Sequence, residues 1–532
     1  MVFDTKDKLS YKSAGIKTGA FLFIKMQTLD LIIIFGYLIG VTAFGALFAR
    51  KQETTEDYFV GDRSVPWWAI AASIVATETS TITFISVPGI AFAKGGNFQF
   101  LQLVFGYMLG RVVISLLFIP RYFRGELLTV YQLLDQRFGG KIKMLAAALF
   151  IVMRNIADGI RLLLTAIVLA AVYAAFQPNT DPTFVVIGSI ILLGAVMIIF
   201  TFYGGMEAVI WVEVVQLGIY IVGAIAAAVV LANQIPGGFA GASALGEQFG
   251  KFTLFDFSTD ITKIYTFWAG LIGGCFLTMS THGTDQYLVQ RYLCTNKPSS
   301  AALALLSSGA VVLGQFIGFL FIGVLLFAFY HPFDAAEYAQ AGVANSGVPA
   351  TFPFAGGDKV FPDFITKFMP SGLSGLVVAA IFAAALSSSL NSIAATFVND
   401  LYKPFRQNLP DKHYLKISGI LTVVIGVVQI AVALVVRNQN QSALSSALSI
   451  ASLFNGPVLG VFLVGVFLKR AGEKAALTGM AASAALMLYI FLATKIAWTW
   501  YVFIGSLTTL LVAWLASFVF ASDETRRETS AL

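Results

Sequence analysis

Hydrophobic residues run along this chain in long stretches joined by short polar segments, without the three-to-four-residue alternation of a surface helix. About twenty apolar residues suffice to cross the hydrocarbon core of a bilayer. Thirteen such stretches are read, at about 29–49, 66–93, 99–120, 144–175, 183–203, 205–232, 264–290, 301–330, 372–399, 415–436, 443–468, 474–494 and 497–521. Two of them are broken at their centres by hydroxyl residues beside a carboxylate. The first reads Ala76-Thr77-Glu78-Thr79-Ser80-Thr81, and the second reads Thr278-Met279-Ser280-Thr281-His282-Gly283-Thr284-Asp285. An ionisable group at bilayer depth is expensive and usually kept for function. Broken helices in matching places of two halves point to the midplane site of a secondary transporter.

Spans two to six and seven to eleven superpose as two groups of five, each opening on a broken helix. Five is odd, so the two groups must be inverted relative to each other across the membrane. The pattern predicts an all-α polytopic membrane protein with thirteen transmembrane helices. These form a 5+5 inverted repeat, with one helix before it and two after. Repeat one covers about 66–232 and repeat two about 264–468, within a single membrane domain over 26–522. Residues 523–532 form a polar tail, and the loops at 233–263 and 331–371 lie outside.

Composition agrees. The 532 residues are 58% hydrophobic and 12% charged, with a mean hydropathy of +0.82. Soluble domains carry about twice that charge fraction. Charge then sets orientation, because cytoplasmic loops collect Lys and Arg. With the segment after span one placed inside, the inner loops hold nineteen basic residues, Arg121, Arg124, Arg137 and Arg291 among them, against seven outside. The N-terminus is therefore expected outside and the C-terminus in the cytoplasm, in a plasma membrane of bacterial inner-membrane type. Lys6, Lys8, Lys12, Lys17 and Lys25 break this pattern, and Met26 makes a natural beginning. Residues 1–25 are accordingly read as an N-terminal extension, disordered or upstream of the working start. No signal-peptide pattern is present.

The net charge of +6 is spread over the loops, without a nucleic-acid patch. Cys275 and Cys294 lie 19 positions apart. On one helix that is roughly 28 Å, which excludes a disulfide. No phosphate-binding loop is present, so an ATP-driven pump is excluded. An enzyme would need converging catalytic groups. Ser280, His282 and Asp285 crowd one helix segment instead, and the chain is read as a carrier rather than an enzyme.

The segment Thr55-Glu56-Asp57-Tyr58-Phe59-Val60-Gly61-Asp62-Arg63-Ser64-Val65-Pro66-Trp67-Trp68 resembles the entry to the first core helix of sodium/solute symporters. That family includes the sodium–glucose, sodium–sialic acid and sodium–iodide carriers. Arg154-Asn155-Ile156-Ala157-Asp158-Gly159-Ile160-Arg161 resembles its third core helix, and Tyr203-Gly204-Gly205-Met206-Glu207 its turn into the fifth. Asp285-Gln286-Tyr287-Leu288-Val289-Gln290-Arg291 is similar to the end of its sixth. Leu390-Asn391-Ser392 with Asp400-Leu401-Tyr402 resembles its eighth, and Gly456-Pro457 with Phe467-Leu468-Lys469-Arg470 its tenth. The matches run in order over about 29–480. The resemblance implies a leucine-transporter-type inverted-repeat fold and sodium-driven uptake by alternating access, with Na+ as coupling ion. The partners implied are a small solute, sodium and membrane lipid, in a monomer or weak oligomer.

Family members hold sodium between the first and eighth core helices. The matching carbonyl positions are Ala76, Thr79 and Ile381, but the usual hydroxyl pair falls on Ala384 and Ala385. A further sodium site of some members matches Glu213, Ser387 and Ser388. Glu78 stands where sugar carriers have a neutral residue, so it is assigned a coupling role, as cation ligand or as proton carrier. The family pattern places solute contacts at Thr83 and Gln102, with Asp285 and, in the second break, His282. Donors and acceptors of this kind suit a sugar or sugar derivative. An organic acid or other small metabolite, carried with protons or without coupling, is the alternative. Arg154, Asp158 and Arg161 are read as an internal ion-pair network, and Arg111 as buried against a carbonyl or an acid.

Overall fold

The computed structural model describes residues 27–520, apart from 48–53, 126, 178, 204, 331–353, 355, 386–388 and 438–442. The extension 1–25, the tail 523–532, most of the outer loop 331–371, and Ser387 and Ser388 lie outside the described residues. The described elements are helical, with one isolated bridge between Ser64 and Thr295.

Helix α1 (Thr28–Leu47) precedes a broken pair, α2 (Trp67–Glu78) and α3 (Thr81–Phe92). There follow α4 (Leu101–Leu117), α5 (Gly140–Phe176), α6 (Pro182–Tyr203) and α7 (Met206–Asn233). A second broken pair is α8 (Gly274–Gly283) and α9 (Gln286–Leu293), before α10 (Pro298–Tyr330). Next come α11 (Leu373–Ala385) and α12 (Leu390–Thr396), described on either side of residues 386–388. The chain ends in α13 (Asp411–Val436), α14 (Ala443–Phe467), α15 (Glu473–Ala493) and α16 (Tyr501–Val519). Pro182 and Pro298 open α6 and α10, where the missing N–H has no intrahelical partner to lose, whereas Pro88 and Pro457 lie inside α3 and α14.

Among the described residues, eight helices are long and apolar enough to cross a membrane, or nine counting the bent pair α2–α3. Three shorter apolar helices, Thr28–Phe44, Leu373–Phe382 and Asn455–Phe467, fall below that length. The count of thirteen is therefore met in part. Apolar side chains point outward where lipid would lie: Val435 is 81% exposed and Val519 is 79% exposed.

Close backbone contact joins the helices around the breaks. A Cβ on Gly106 of α4 would stand 2.2 Å from the Gly270 carbonyl oxygen, at the head of α8. One on Gly323 of α10 would stand 2.2 Å from the Pro88 carbonyl oxygen in α3. Small residues of this kind let membrane helices approach backbone to backbone. Helix α1 is held to α11 by Asp30, which accepts from the backbone N–H of Gly372 (2.7 Å) and Gly375 (2.9 Å) and from Ser374 Oγ (2.7 Å). Both cysteines are buried and free.

Candidate functional site

Helix α2 stops because Thr79 leaves helical geometry at φ −75°, ψ 72°, and Ser80 is extended. The two halves bend by 57°. In a continuous helix the Ser80 N–H would serve the Ala76 carbonyl. Here it donates to the Glu78 carbonyl at 2.8 Å, so Ala76 loses its helical donor. Thr83 Oγ1 closes the gap by donating to the same Glu78 carbonyl at 3.1 Å. Thr79 Oγ1 lies 2.7 Å from both the Val75 carbonyl and Gln315 Oε1 of α10. The second break lies at Thr284–Asp285. Asp285 is extended, and its carboxylate accepts the Tyr287 N–H at 2.8 Å, capping α9.

Glu78 joins the two breaks. Its carboxylate takes Arg111 Nη2 of α4 at 2.5 and 2.6 Å, and its Oε1 meets His282 Nε2 of α8. His282 Nδ1 in turn lies 2.9 Å from the Tyr292 hydroxyl. Arg111 is 1% exposed, and its Nε and Nη1 have no acceptor among the described residues. The Glu78 side chain keeps 18% of its surface exposed.

A second carboxylate is buried one layer away. Glu213 of α7 accepts Arg291 Nη2 at 2.5 Å and Arg291 Nε at 3.2 Å, with Thr77 Oγ1 at 3.1 Å and Ser73 Oγ also bonded to it. Arg291 was counted with the cytoplasmic loop charges, but the structure buries it completely at the end of α9. Its guanidinium stacks over the Tyr287 ring at 4.7 Å, and that of Arg154 covers the same ring at 4.5 Å. Arg154 also pairs with Asp285 and lies 3.7 Å from Asp158, which Arg161 shares at 3.7 Å. The α5 charges thus form the internal network expected of them, and they extend it to the second break.

The remaining sequence-assigned residues fall in three places. Thr83, His282 and Glu78 meet at the first break, and Ile381 is buried on α11. Gln102 is buried in the first turn of α4. Its amide donates to the carbonyls of Gln99 (3.1 Å) and Tyr265 (3.2 Å) and accepts the Asp256 N–H at 3.0 Å, which ties α4 to the loop before α8. Ser387 and Ser388 lie outside the described residues. Sequence reasoning missed Arg291 as the partner of Glu213 and Tyr292 as the partner of His282. The available signal was the helical spacing of Arg291 from Tyr287, which returns it to the polar face of α9. Ser280 donates to the Asn455 carbonyl at 3.3 Å, away from His282 and Asp285, so these three do not form a catalytic relay.

The family model described as "Sodium:solute symporter family" matches residues 58–482. The chain is 32% identical over 501 residues to the sodium/sialic acid symporter NanT of Aliivibrio fischeri, covering 93% of this chain and 94% of the relative. It is 29% identical over 502 residues to the sodium/sialic acid symporter SiaT of Proteus mirabilis, covering 92% and 95%. It is 27% identical over 478 residues to the human sodium-coupled monocarboxylate transporter 1, covering 88% and 74%. Among solved structures, the substrate-bound outward-open state of a Na+-coupled sialic acid symporter superposes with a TM-score of 0.78 at 27% identity, covering 94% of this chain and 99% of that one. Mhp1, a nucleobase-cation-symport-1 family transporter, superposes with a TM-score of 0.55 at 15% identity, covering 89% and 98%, a likeness of fold alone.

Proposed function

We propose, from the premise that this chain belongs to the sodium:solute symporter family, that it imports a carboxylate-bearing sugar derivative by alternating access. The chain is a sodium-coupled solute symporter. One observation carries the proposal: at the junction of the two broken helices, Arg111 is 1% exposed, with Nε and Nη1 unsatisfied beside Glu78 and His282. Buried donors left unmade are destabilising, so a solute rich in acceptors is favoured there. A carboxylate suits these donors better than a neutral acceptor does, because a bond between two charged groups is the stronger one. The sialic acid symporters that the chain resembles support a sugar acid.

In this reading Thr83, His282, Asp285 and Gln102 contact or orient the solute, and Glu78 couples solute to cation. The sodium ligands are the Ala76, Thr79 and Ile381 carbonyls with Glu213, Ser387 and Ser388. The Ala76 carbonyl, released from its helical donor, is a suitable hard oxygen ligand. Both carboxylates already hold an internal guanidinium. This favours a sodium site built mainly on backbone and hydroxyl oxygens, with the ion pairs neutralising charge around it. The two repeats, inverted about this centre, would rock around it. The bacterial inner membrane is the proposed location, with the N-terminus outside and the C-terminus inside.

Uptake of radiolabelled sialic acid into liposomes holding the purified protein tests this. Accumulation above equilibrium is expected under an inward sodium gradient, with unlabelled pyruvate competing weakly. Strong uptake of pyruvate with none of sialic acid would replace the sugar acid by a monocarboxylate. The second reading, proton coupling through Glu78, rests on that carboxylate joining His282. Full accumulation in sodium-free buffer under a pH gradient would favour it.

A further inference from the structure

On the face of the molecule rich in basic loops, away from the broken helices, a shallow, open cavity lies between the end of α4, the short helix Gln132–Phe138 and the end of α14. Arg121, Arg124 and Arg137 line its rim. Its floor is apolar, formed by Leu134, Phe138 and Phe462. No carboxylate lines it among the described residues. Among the described residues, two nearby acids are engaged elsewhere: Asp135 pairs with Lys143 at 2.5 Å, and Glu473 accepts the Lys141 N–H at 3.2 Å. Arg137 has a structural task, donating to the Leu468, Lys469 and Ala471 carbonyls that follow α14. Arg121 uses one nitrogen on the Leu117 carbonyl, and its buried Nε has no acceptor. Arg124 is exposed at the rim.

We infer that this cavity is a binding site for an anionic phospholipid of the inner leaflet. Three features select that occupant over a soluble anion. The cavity lies at the level where hydrophobic surface ends: Leu116 is 71% exposed and Phe467 is 56% exposed just above the arginines. Acyl chains can therefore run along α4 and α14 while the headgroup sits among the guanidinium groups. The floor is aromatic and aliphatic, which suits glycerol and upper acyl carbons and would waste the binding of a bare phosphate. Finally, the asymmetry of basic loops assigns this side to the cytoplasm, where leaflets carry anionic lipid and basic pockets between helices collect it. A lipid here would bridge the end of α4, which bears Arg111 of the transport site, to the end of α14.

The test is native mass spectrometry of the purified full chain after delipidation and addition of phosphatidylglycerol, phosphatidylcholine or inorganic phosphate. The wild type is expected to retain phosphatidylglycerol preferentially. The double variant Arg121→Gln/Arg124→Gln should weaken that binding roughly thirtyfold. Gln136→Glu, which puts a carboxylate on the exposed rim without touching the core, should weaken it in the same sense. Lys403→Gln/Arg406→Gln, on another basic loop, should bind as the wild type does. Equal retention of the two lipids overturns the inference, as does wild-type binding by both cavity variants. Protection of the cavity by inorganic phosphate as strong as that by phosphatidylglycerol would also overturn it. Should the double arginine variant fail to fold, Gln136→Glu decides alone.

Discussion

Single side chains set the character of the centre. Glu213 and Arg291 are 1% and 0% exposed, so each neutralises a charge that could not otherwise stay in place. Arg291→Met leaves the carboxylate buried without its cation and is expected to lower stability by about 3–5 kcal/mol. Adding Glu213→Leu should recover most of that loss, and thermal unfolding in detergent reads both. Lys251, in the loop between α7 and α8, is held differently. Its ammonium donates to the Ala91, Phe92 and Ala93 carbonyls at the end of α3 and sits 4.2 Å from the Phe327 ring. Burial pushes its pKa down from 10.5 to about 7. The unfolded chain keeps that proton up to about pH 10.5, so between 7 and 10.5 the unfolded state binds more protons and stability rises with pH. The wild-type melting temperature should therefore climb across this window relative to Lys251→Met. Parallel curves for the two proteins would remove Lys251 as the cause.

Helices and their breaks were the most legible elements in the sequence. The hydroxyl clusters at 76–81 and 278–285 located the interruptions to within a few residues of Thr79–Ser80 and Thr284–Asp285. Residues that neither pack well in a helix nor tolerate lipid mark such places by composition alone. Partners across elements were not legible. Glu78 meets Arg111 thirty-three positions on and His282 two hundred and four positions on, distances that hydrophobic periodicity does not encode. Arg291 was misplaced because a count of basic loop residues treats every arginine near a span end as solvated. Glycines, too, look alike in sequence, yet only some stand at helix crossings. Gly106→Ala would force a methyl to 2.2 Å from the Gly270 oxygen, an overpacking expected to cost about 1–3 kcal/mol. Gly318→Ala, with nothing within 4 Å, should be neutral, and fluorescence-detected thermal unfolding compares the two.

For the molecule as a carrier, charge balance decides how steeply it can accumulate solute. If the Ala76/Thr79/Ile381 carbonyls and the Glu213/Ser387/Ser388 group each hold one sodium, two cations with one carboxylate solute give a net movement of one positive charge per cycle. Each such charge is worth about 2.3 kcal/mol per 100 mV, or nearly fiftyfold in concentration. An inside-negative diffusion potential imposed on the liposomes should raise accumulation by about that factor. No response would indicate one sodium per anionic solute. The glycine crossings constrain how such a cycle is carried out. Because α4 meets the head of α8 and α10 meets α3 with no side chain between them, there is no cushion to compress or re-form at those seams. The two partners at each seam are therefore expected to shift together, like fingers of one hand, and relative sliding during the cycle is left to other contacts.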